Sequence, residues 1–127
     1  MRQKPLLLSE RYLSLATFRR DGSAVETPVW FAPIDRRLYV FTDGTSYKVR
    51  RLRRDPRIKV AACTVGGRVT GSWQTGRGRI VSEPDLVGRA YGALHAKYGW
   101  QMAAVDLLSR LAGRIKRRLI LELELDG

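Results

Sequence analysis

The chain has 127 residues, 44% of them hydrophobic, and a formal net charge of +12. That size fits one core and argues against two domains, so residues 1–127 read as a single unit. Cys63 is the only cysteine, which excludes an intrachain disulfide. No apolar run approaches the roughly 20 residues that span a bilayer, and Met1–Pro5 lack a signal core, so a soluble cytoplasmic protein with no membrane role is expected.

The charge is unevenly placed. Residues 44–82 carry ten basic side chains and one acidic one, a net of +9. Such a field draws in anions. Arginine dominates there, which suits bidentate recognition of phosphate or carboxylate.

In chain order, Tyr12–Phe18 alternates, with Leu13, Leu15 and Thr17 on one face. Arg20-Asp21-Gly22-Ser23 is a turn. Ala24–Phe31 returns with Val25, Thr27, Val29 and Phe31 on one face. Pro28 lacks an amide donor, so this strand is bulged or at an edge there. Leu38–Thr42 is a third strand with Leu38 and Val40 inward. A basic helix follows, with Thr45 or Ser46 as N-cap and Val49 and Leu52 as its apolar anchors. Asp55-Pro56 ends it.

Ile58–Val65 reads as a buried strand and Gly66-Gly67 as a hairpin turn. Arg68–Val81 reads as a long strand interrupted by Gly71, Gly76 and Gly78, where bulges or close backbone approach are expected. The period then changes. Ser82 and Pro84 open a helix striped by Leu86, Tyr91, Leu94 and Tyr98 and closed by Gly99. Met102, Val105, Leu108 and Leu111 stripe a second helix ending at Gly113. Leu119, Leu121, Leu123 and Leu125 alternate in a last strand. The order β-β-β-α-β-β-α-α-β predicts an α+β fold built on a six-stranded antiparallel barrel.

Few residues offer chemistry of their own. His95 has no Cys, Asp or Glu at ligand spacing on its helix and reads as a surface or partly buried histidine. No nucleophile elbow surrounds a serine, Cys63 reads as a buried inert thiol, and no Walker or dinucleotide glycine loop occurs. An enzyme of this sequence therefore needs a cofactor for the hard chemistry.

What remains is a strand end at Thr42, a short loop, then Ser46, Lys48, Arg50 and Arg51. A helix N-terminus offers free amides, the hydroxyls add donors, and Lys48 and Arg51 lie three apart on one face. Together they make a phosphate site. The same run also reads as a solvated, charge-rich helix. Five cations in the seven residues Lys48–Arg54, with no acid between them, oppose the helix dipole and repel one another, which favours an anion there.

Thr27-Pro28-Val29-Trp30-Phe31, Leu38-Tyr39-Val40-Phe41-Thr42 and Ser46-x-Lys48-Val49-x-Arg51-x-x-Arg54-Asp55-Pro56-Arg57 resemble the pyridoxamine 5′-phosphate oxidase-like split β-barrel superfamily. They are similar in particular to its actinobacterial branch that uses the deazaflavin coenzyme F-420. Tyr12–Phe18, the Arg20-Asp21-Gly22 turn, Gly76–Ile80 and Lys97-Tyr98-Gly99 extend the likeness over nearly the whole chain.

The resemblance implies a homodimer with cofactor at its interface. It implies that Lys48 and Arg51 hold the cofactor phosphate with Ser46 and Arg50 nearby and Thr42 at the strand end. Thr27, Pro28, Val29 and Trp30 would border the ring, partly through backbone groups. Trp73 and Gln74 would approach from the partner, although Trp73 equally reads as a core or interface residue. F-420 carries a phosphodiester and a glutamate tail, and Arg53, Arg54, Arg57 and Lys59 are the candidates for that tail. The implied activity is hydride transfer between reduced F-420 and a small unsaturated acceptor, with Tyr47, Tyr98 or solvent as proton donor. FMN in the same fold and a non-catalytic cofactor carrier are the alternatives. A basic nucleic-acid-binding barrel ranks lower, because no aromatic stacking motif lies on consecutive strands, and no nucleic-acid partner is expected.

Overall fold

The computed structural model describes residues 10–113 and 115–126. Seven strands and three helices follow one another in it. The strands are β1 (Leu13–Phe18), β2 (Ala24–Val29), β3 (Phe31–Ile34), β4 (Arg37–Asp43), β5 (Arg57–Ala62), β6 (Gln74–Ile80) and β7 (Arg118–Leu125). Helix α1 (Tyr47–Arg54) follows β4, and α2 (Pro84–Tyr98) and α3 (Trp100–Leu111) lie between β6 and β7. All pairings are antiparallel, in the order β2-β1-β5-β6-β7-β4-β3. The α+β class and the split-barrel sheet agree with expectation, and the strand number does not.

The extra strand comes from splitting the second one. Ala24–Val29 pairs with β1 and Phe31–Ile34 pairs with β4. Only Trp30 separates them, so the two edge strands of the sheet are consecutive in the chain. The sheet curls until its edges are joined by one residue. Alternation persists through the junction, since Val29 and Phe31 both reach the inner core. Pro28 and Pro33 fall on the two edge strands, where a missing amide donor costs no ladder bond.

The inner core is the alternating set Leu13, Leu15, Leu38, Val40, Ile58, Val60, Leu121, Leu123 and Leu125 with Phe31. A second cluster lies outside the sheet, where α2 and α3 cover Ala32, Tyr39 and Ile120 with Ala90, Leu94, Tyr98 and Met102. Helix α1 packs against β1 and β6 and buries Val49 and Leu52.

Two glycines of β6 sit at close contacts. A Cβ on Gly76 would lie 2.4 Å from the Glu124 carbonyl oxygen and 2.9 Å from Leu125 Cα, both fixed backbone of β7. One on Gly78 would meet Leu52 at 3.2 Å, so a side chain there would press on the anchor of α1. The long strand expected over 68–81 shortens to Gln74–Ile80, with one isolated bridge between Cys63 and Val69. The amides of Thr70 and Gly71 both donate to the Ala62 carbonyl, at 2.9 and 3.3 Å. That two-on-one arrangement ends regular pairing, as a bulge does.

Two helix details also differ. Glu83, not Ser82, is the N-cap of α2, with Pro84 as the first helical residue. Leu108 and Leu111 are exposed rather than core residues. Helix α3 docks through Met102 and through Asp106, which pairs with Arg118 at 2.5 Å and with His95 at 2.9 Å. Its other face is left outside.

On the outer side of β4, β6 and β7, Tyr39 donates to Glu122 at 2.6 Å and Arg79 donates to it at 2.8 Å. Burial pushes the Glu122 carboxyl up, but the bonds from Arg79 and Tyr39 outweigh it and hold it below its ordinary 4.5. Its stabilisation is therefore complete above that value and is lost as pH falls through the lower folded value. Urea titrations between pH 7 and 3 are expected to show a smaller loss of stability on acidification for Glu122→Gln than for wild type. A second comparison tests the close approach of β6 and β7. Gly76→Ala is expected to cost about 2–3 kcal/mol. Gly88→Ala, on α2 with nothing within 4 Å, should gain about 0.5–1 kcal/mol.

Candidate anion and cofactor site

Helix α1 begins where β4 ends. Gly44 donates to the Arg117 carbonyl at 2.7 Å, and a Cβ there would meet that oxygen at 2.8 Å. Asp43 accepts from the Thr45 amide and hydroxyl at 2.8 and 2.7 Å and pairs with Arg117 at 3.3 Å. These contacts fix the loop and present Ser46 as the N-cap of α1. The Ser46 side chain does not cap. Its Oγ is buried with no hydrogen-bond partner.

Two cationic side chains of α1 turn inward. Lys48 Nζ donates to Thr42 Oγ1 at 3.0 Å. Arg51 Nε donates to Thr17 Oγ1 at 2.7 Å. Burial, followed by the charge of Arg51, lowers the Lys48 ammonium from its ordinary value. Burial, then Arg19 and Arg54, lowers Arg51 as well. Both cations are thus half-buried and answered by neutral hydroxyls, with no carboxylate in ion-pair range among the described residues. A buried charge of that kind is costly until an anion joins it.

Beside Arg51 opens a cavity of about 430 Å³ lined by Arg19, Arg20, Asp21, Tyr47, Arg50, Arg51 and Arg54. Arg50 lies over the Tyr47 ring at 5.3 Å. Arg54 donates to the Phe18 carbonyl at 2.8 Å, which ties α1 to the end of β1. Asp21 is the one acid on this wall. Hydrogen bonds from Ser23, and the charge of Arg19, hold its carboxyl below the ordinary range.

Of the nine expected site residues, the structure gathers Thr42, Ser46, Lys48, Arg50 and Arg51 around the start of α1. No hydrogen bond or ring contact among the described residues joins Thr27, Pro28, Val29 or Trp30 to them. Thr27 lies opposite Leu15 and Pro28 opposite Ser14. Trp30 stacks on Tyr98 at 4.4 Å with planes 7° apart and meets Phe41 edge-on at 6.2 Å. Its ring is committed to the outer core.

The tail candidates divide. Arg54 lines the arginine cavity. Arg57 and Lys59 line a separate groove of about 330 Å³ with Thr75, Arg77 and Asp126. Arg57 is held by Asp55 at 2.8 Å, and Lys59 lies over Trp73 at 5.2 Å. Arg53 is exposed and lines neither cavity. Gln74 is half-buried, its amide nitrogen unpartnered.

Tyr98 is unsuited to donate a proton. Its hydroxyl accepts from the Phe31 amide at 3.0 Å and donates to the Arg11 carbonyl at 2.8 Å. Burial pushes it up to about 12. Tyr47 is exposed. Cys63 is buried and burial raises its thiol, which suits an inert residue. No group of three metal-ligating side chains occurs among the described residues. No helix among them is long and apolar enough to cross a membrane.

Thr17, Arg19, Arg20 and Asp43 belong to the site and are not legible as such in the sequence. Arg19-Arg20 beside Asp21-Gly22 is a signal, since a cationic pair at a hairpin tip needs a reason. Nothing in the sequence places it against α1.

The residues present suit an anionic cofactor group, because a buried, unpartnered hydroxyl at the helix start accompanies two half-buried cations that have no ion-pair partner among the described residues. A conserved hypothetical protein from Mycobacterium tuberculosis is 25% identical, with a TM-score of 0.72 over 97% of this chain and 78% of that one. A heme storage protein from Vibrio cholerae is 12% identical, with a TM-score of 0.72 over 100% and 92%. A FAD-binding protein from Mesorhizobium loti is 19% identical, with a TM-score of 0.66 over 99% and 87%. A search of curated proteins finds no match. Residues 2–126 match the pyridoxamine 5′-phosphate oxidase family, and the chain belongs to it.

Proposed function

We propose that the protein is an F-420-dependent oxidoreductase that binds the cofactor phosphate at the start of α1. One observation carries the reading: Lys48 and Arg51 are half-buried cations whose only hydrogen-bond partners among the described residues are the hydroxyls of Thr42 and Thr17. Ser46 Oγ, buried and unpartnered, supplies a third group. A phosphate accepting from all three would neutralise the pair and satisfy the orphan.

The choice of F-420 rests on charge. Five arginines face the adjoining cavity with one acid, more than a single phosphate requires. An acidic tail would use Arg19, Arg20, Arg50 and Arg54. When bound, the deazaflavin supplies the hydride for a small unsaturated acceptor. The chain's own residues bind and orient the cofactor. With Tyr98 engaged by backbone, solvent delivers the proton. The Thr27–Trp30 backbone borders the ring, and a homodimer encloses it.

FMN is the second reading, favoured by the FAD-binding relative. The heme storage relative favours a carrier without turnover.

Fluorescence titration with F-420 and FMN at matched salt separates these readings. F-420 is expected to bind more tightly, with affinity falling steeply as salt rises. Lys48→Ala combined with Arg51→Ala should weaken it by about 100-fold or more, since each removes a charge-assisted bond. Unchanged affinity in the double variant would sink the site. Tighter FMN binding and a yellow protein would favour FMN. Tight F-420 binding without turnover across an acceptor panel would favour the carrier.

A further inference from the structure

Lys97, near the end of α2, holds its charge where nothing answers it. Its Nζ is enclosed and has no hydrogen-bond partner. It lies 3.4 Å from the centroid of the Phe31 ring, a fully buried side chain. A ring face attracts a cation but offers no lone pair to the three N–H donors of an ammonium.

The surroundings add a like charge. The Arg11 guanidinium lies 4.9 Å from the centroid of the Tyr98 ring, and Lys97 Nζ lies 5.3 Å from it. Two cations thus share one ring. Arg11 is exposed and is tethered to Gln101. Among the described residues, Glu10 is the one carboxylate whose charge acts on Lys97, and it makes no hydrogen bond to Nζ.

Burial, then Arg11, brings the Lys97 ammonium down from its ordinary value to about 8, against the pull of Glu10. A sizeable share of the amine is therefore unprotonated in mildly alkaline water, and a neutral amine is a nucleophile. Enclosure selects its electrophile. A nitrogen with no open surface does not admit a bulky aldehyde. Carbon dioxide is small, linear and uncharged.

We propose that Lys97 is a carbon dioxide-binding residue that forms a carbamate paired with Arg11. The lone pair of the neutral Nζ attacks the carbon of CO2, and an N–C bond forms. One C=O electron pair moves onto oxygen, and the nitrogen releases one proton to solvent. Nothing is oxidised or reduced. The product replaces two like charges by an opposite pair. Its planar carboxylate suits a bidentate meeting with a guanidinium. It extends towards Arg11 and away from the Phe31 ring face, which is negative. The pair would tie the segment before β1 to α2. Arg11 precedes β1, whereas Thr17 lies near the far end of that strand and meets Arg51 there, so this site is separate from the one at α1. It is independent of the cofactor reading.

Carbon-13 NMR of the full chain tests it, at fixed labelled CO2 between pH 7 and 9. Trapping with triethyloxonium ion and peptide mass spectrometry place the adduct. A carbamate carbon signal is expected to grow as pH rises, with the trapped group on Lys97. Lys97→Arg, with unchanged circular dichroism, should lose that signal. Arg11→Gln should lower the occupancy several-fold at the same CO2. A wild type with no trapped group on Lys97 overturns the proposal, whatever signal the α-amino group or Lys48 contributes. A signal undiminished in Lys97→Arg does the same. Occupancy unchanged by Arg11→Gln overturns the pairing with Arg11.

Discussion

Two apolar side chains decide where the charge of this protein goes. Helix α1 has eight residues, and Val49 and Leu52 are the ones it buries. A helix this short is unstable alone. Burying the two contributes about 1.5–3 kcal/mol each, against about 0.2–0.5 kcal/mol for each like-charge pair on its surface. Burial wins, and it dictates the rotation of the helix. With Val49 and Leu52 facing β1 and β6, Lys48 and Arg51 flank them and must enter the barrel end. There they meet Thr42 and Thr17 because those residues occupy inward positions of β4 and β1. The anion site is a consequence of seating α1, and any substitution that tilts α1 moves both cations together.

The barrel that receives α1 depends on close backbone approach. Gly76 and Gly78 lie on the inner face of β6, where neighbouring strands carry leucine, valine and isoleucine. The first lets β7 come in against β6, and the second makes room for Leu52. The glycines were readable as sites of close approach, and the side chains they accommodate were not. Alternation made the inward sets of β1, β4 and β7 legible, and Pro28 marked an edge strand correctly. The split at Trp30 was illegible because alternation passes through it unbroken. Only the change of partner from β1 to β4 reveals it. Leu108 and Leu111 misled for a related reason. Periodicity reports that a face is apolar and is silent about what covers it.

The site was legible to the extent that it is local. Thr42, Ser46, Lys48 and Arg51 lie within ten residues of one another, and helix geometry relates them without tertiary knowledge. Thr17, Arg19 and Arg20 come from a hairpin some thirty residues earlier and join the site only because β1 passes under α1. Trp30 is not local in this sense. The resemblance set it beside the cofactor ring with Thr27, Pro28 and Val29, and its indole stacks on Tyr98 against the outer core.

Charge and hydrophobicity are sorted onto different parts of the molecule. The cationic groups gather on α1, the β1–β2 hairpin and the β5–β6 groove, while α3 has two charged residues in twelve, one of them turned inward. A protein with so strong a field cannot associate through its cationic side without an anion between the copies. Its exposed leucines, conversely, cannot attract a polyanion. Each surface is therefore suited to one kind of partner, and Arg118 lies where the two regions meet. It reaches Asp106 and Ser109 of α3 from the first residue of β7, and that residue pairs with Asp43 at the end of β4. Arg118 thus connects α3 by contact to the strand end that opens the loop before α1. The route is short, and it runs through contacts that also hold the outer layer in place.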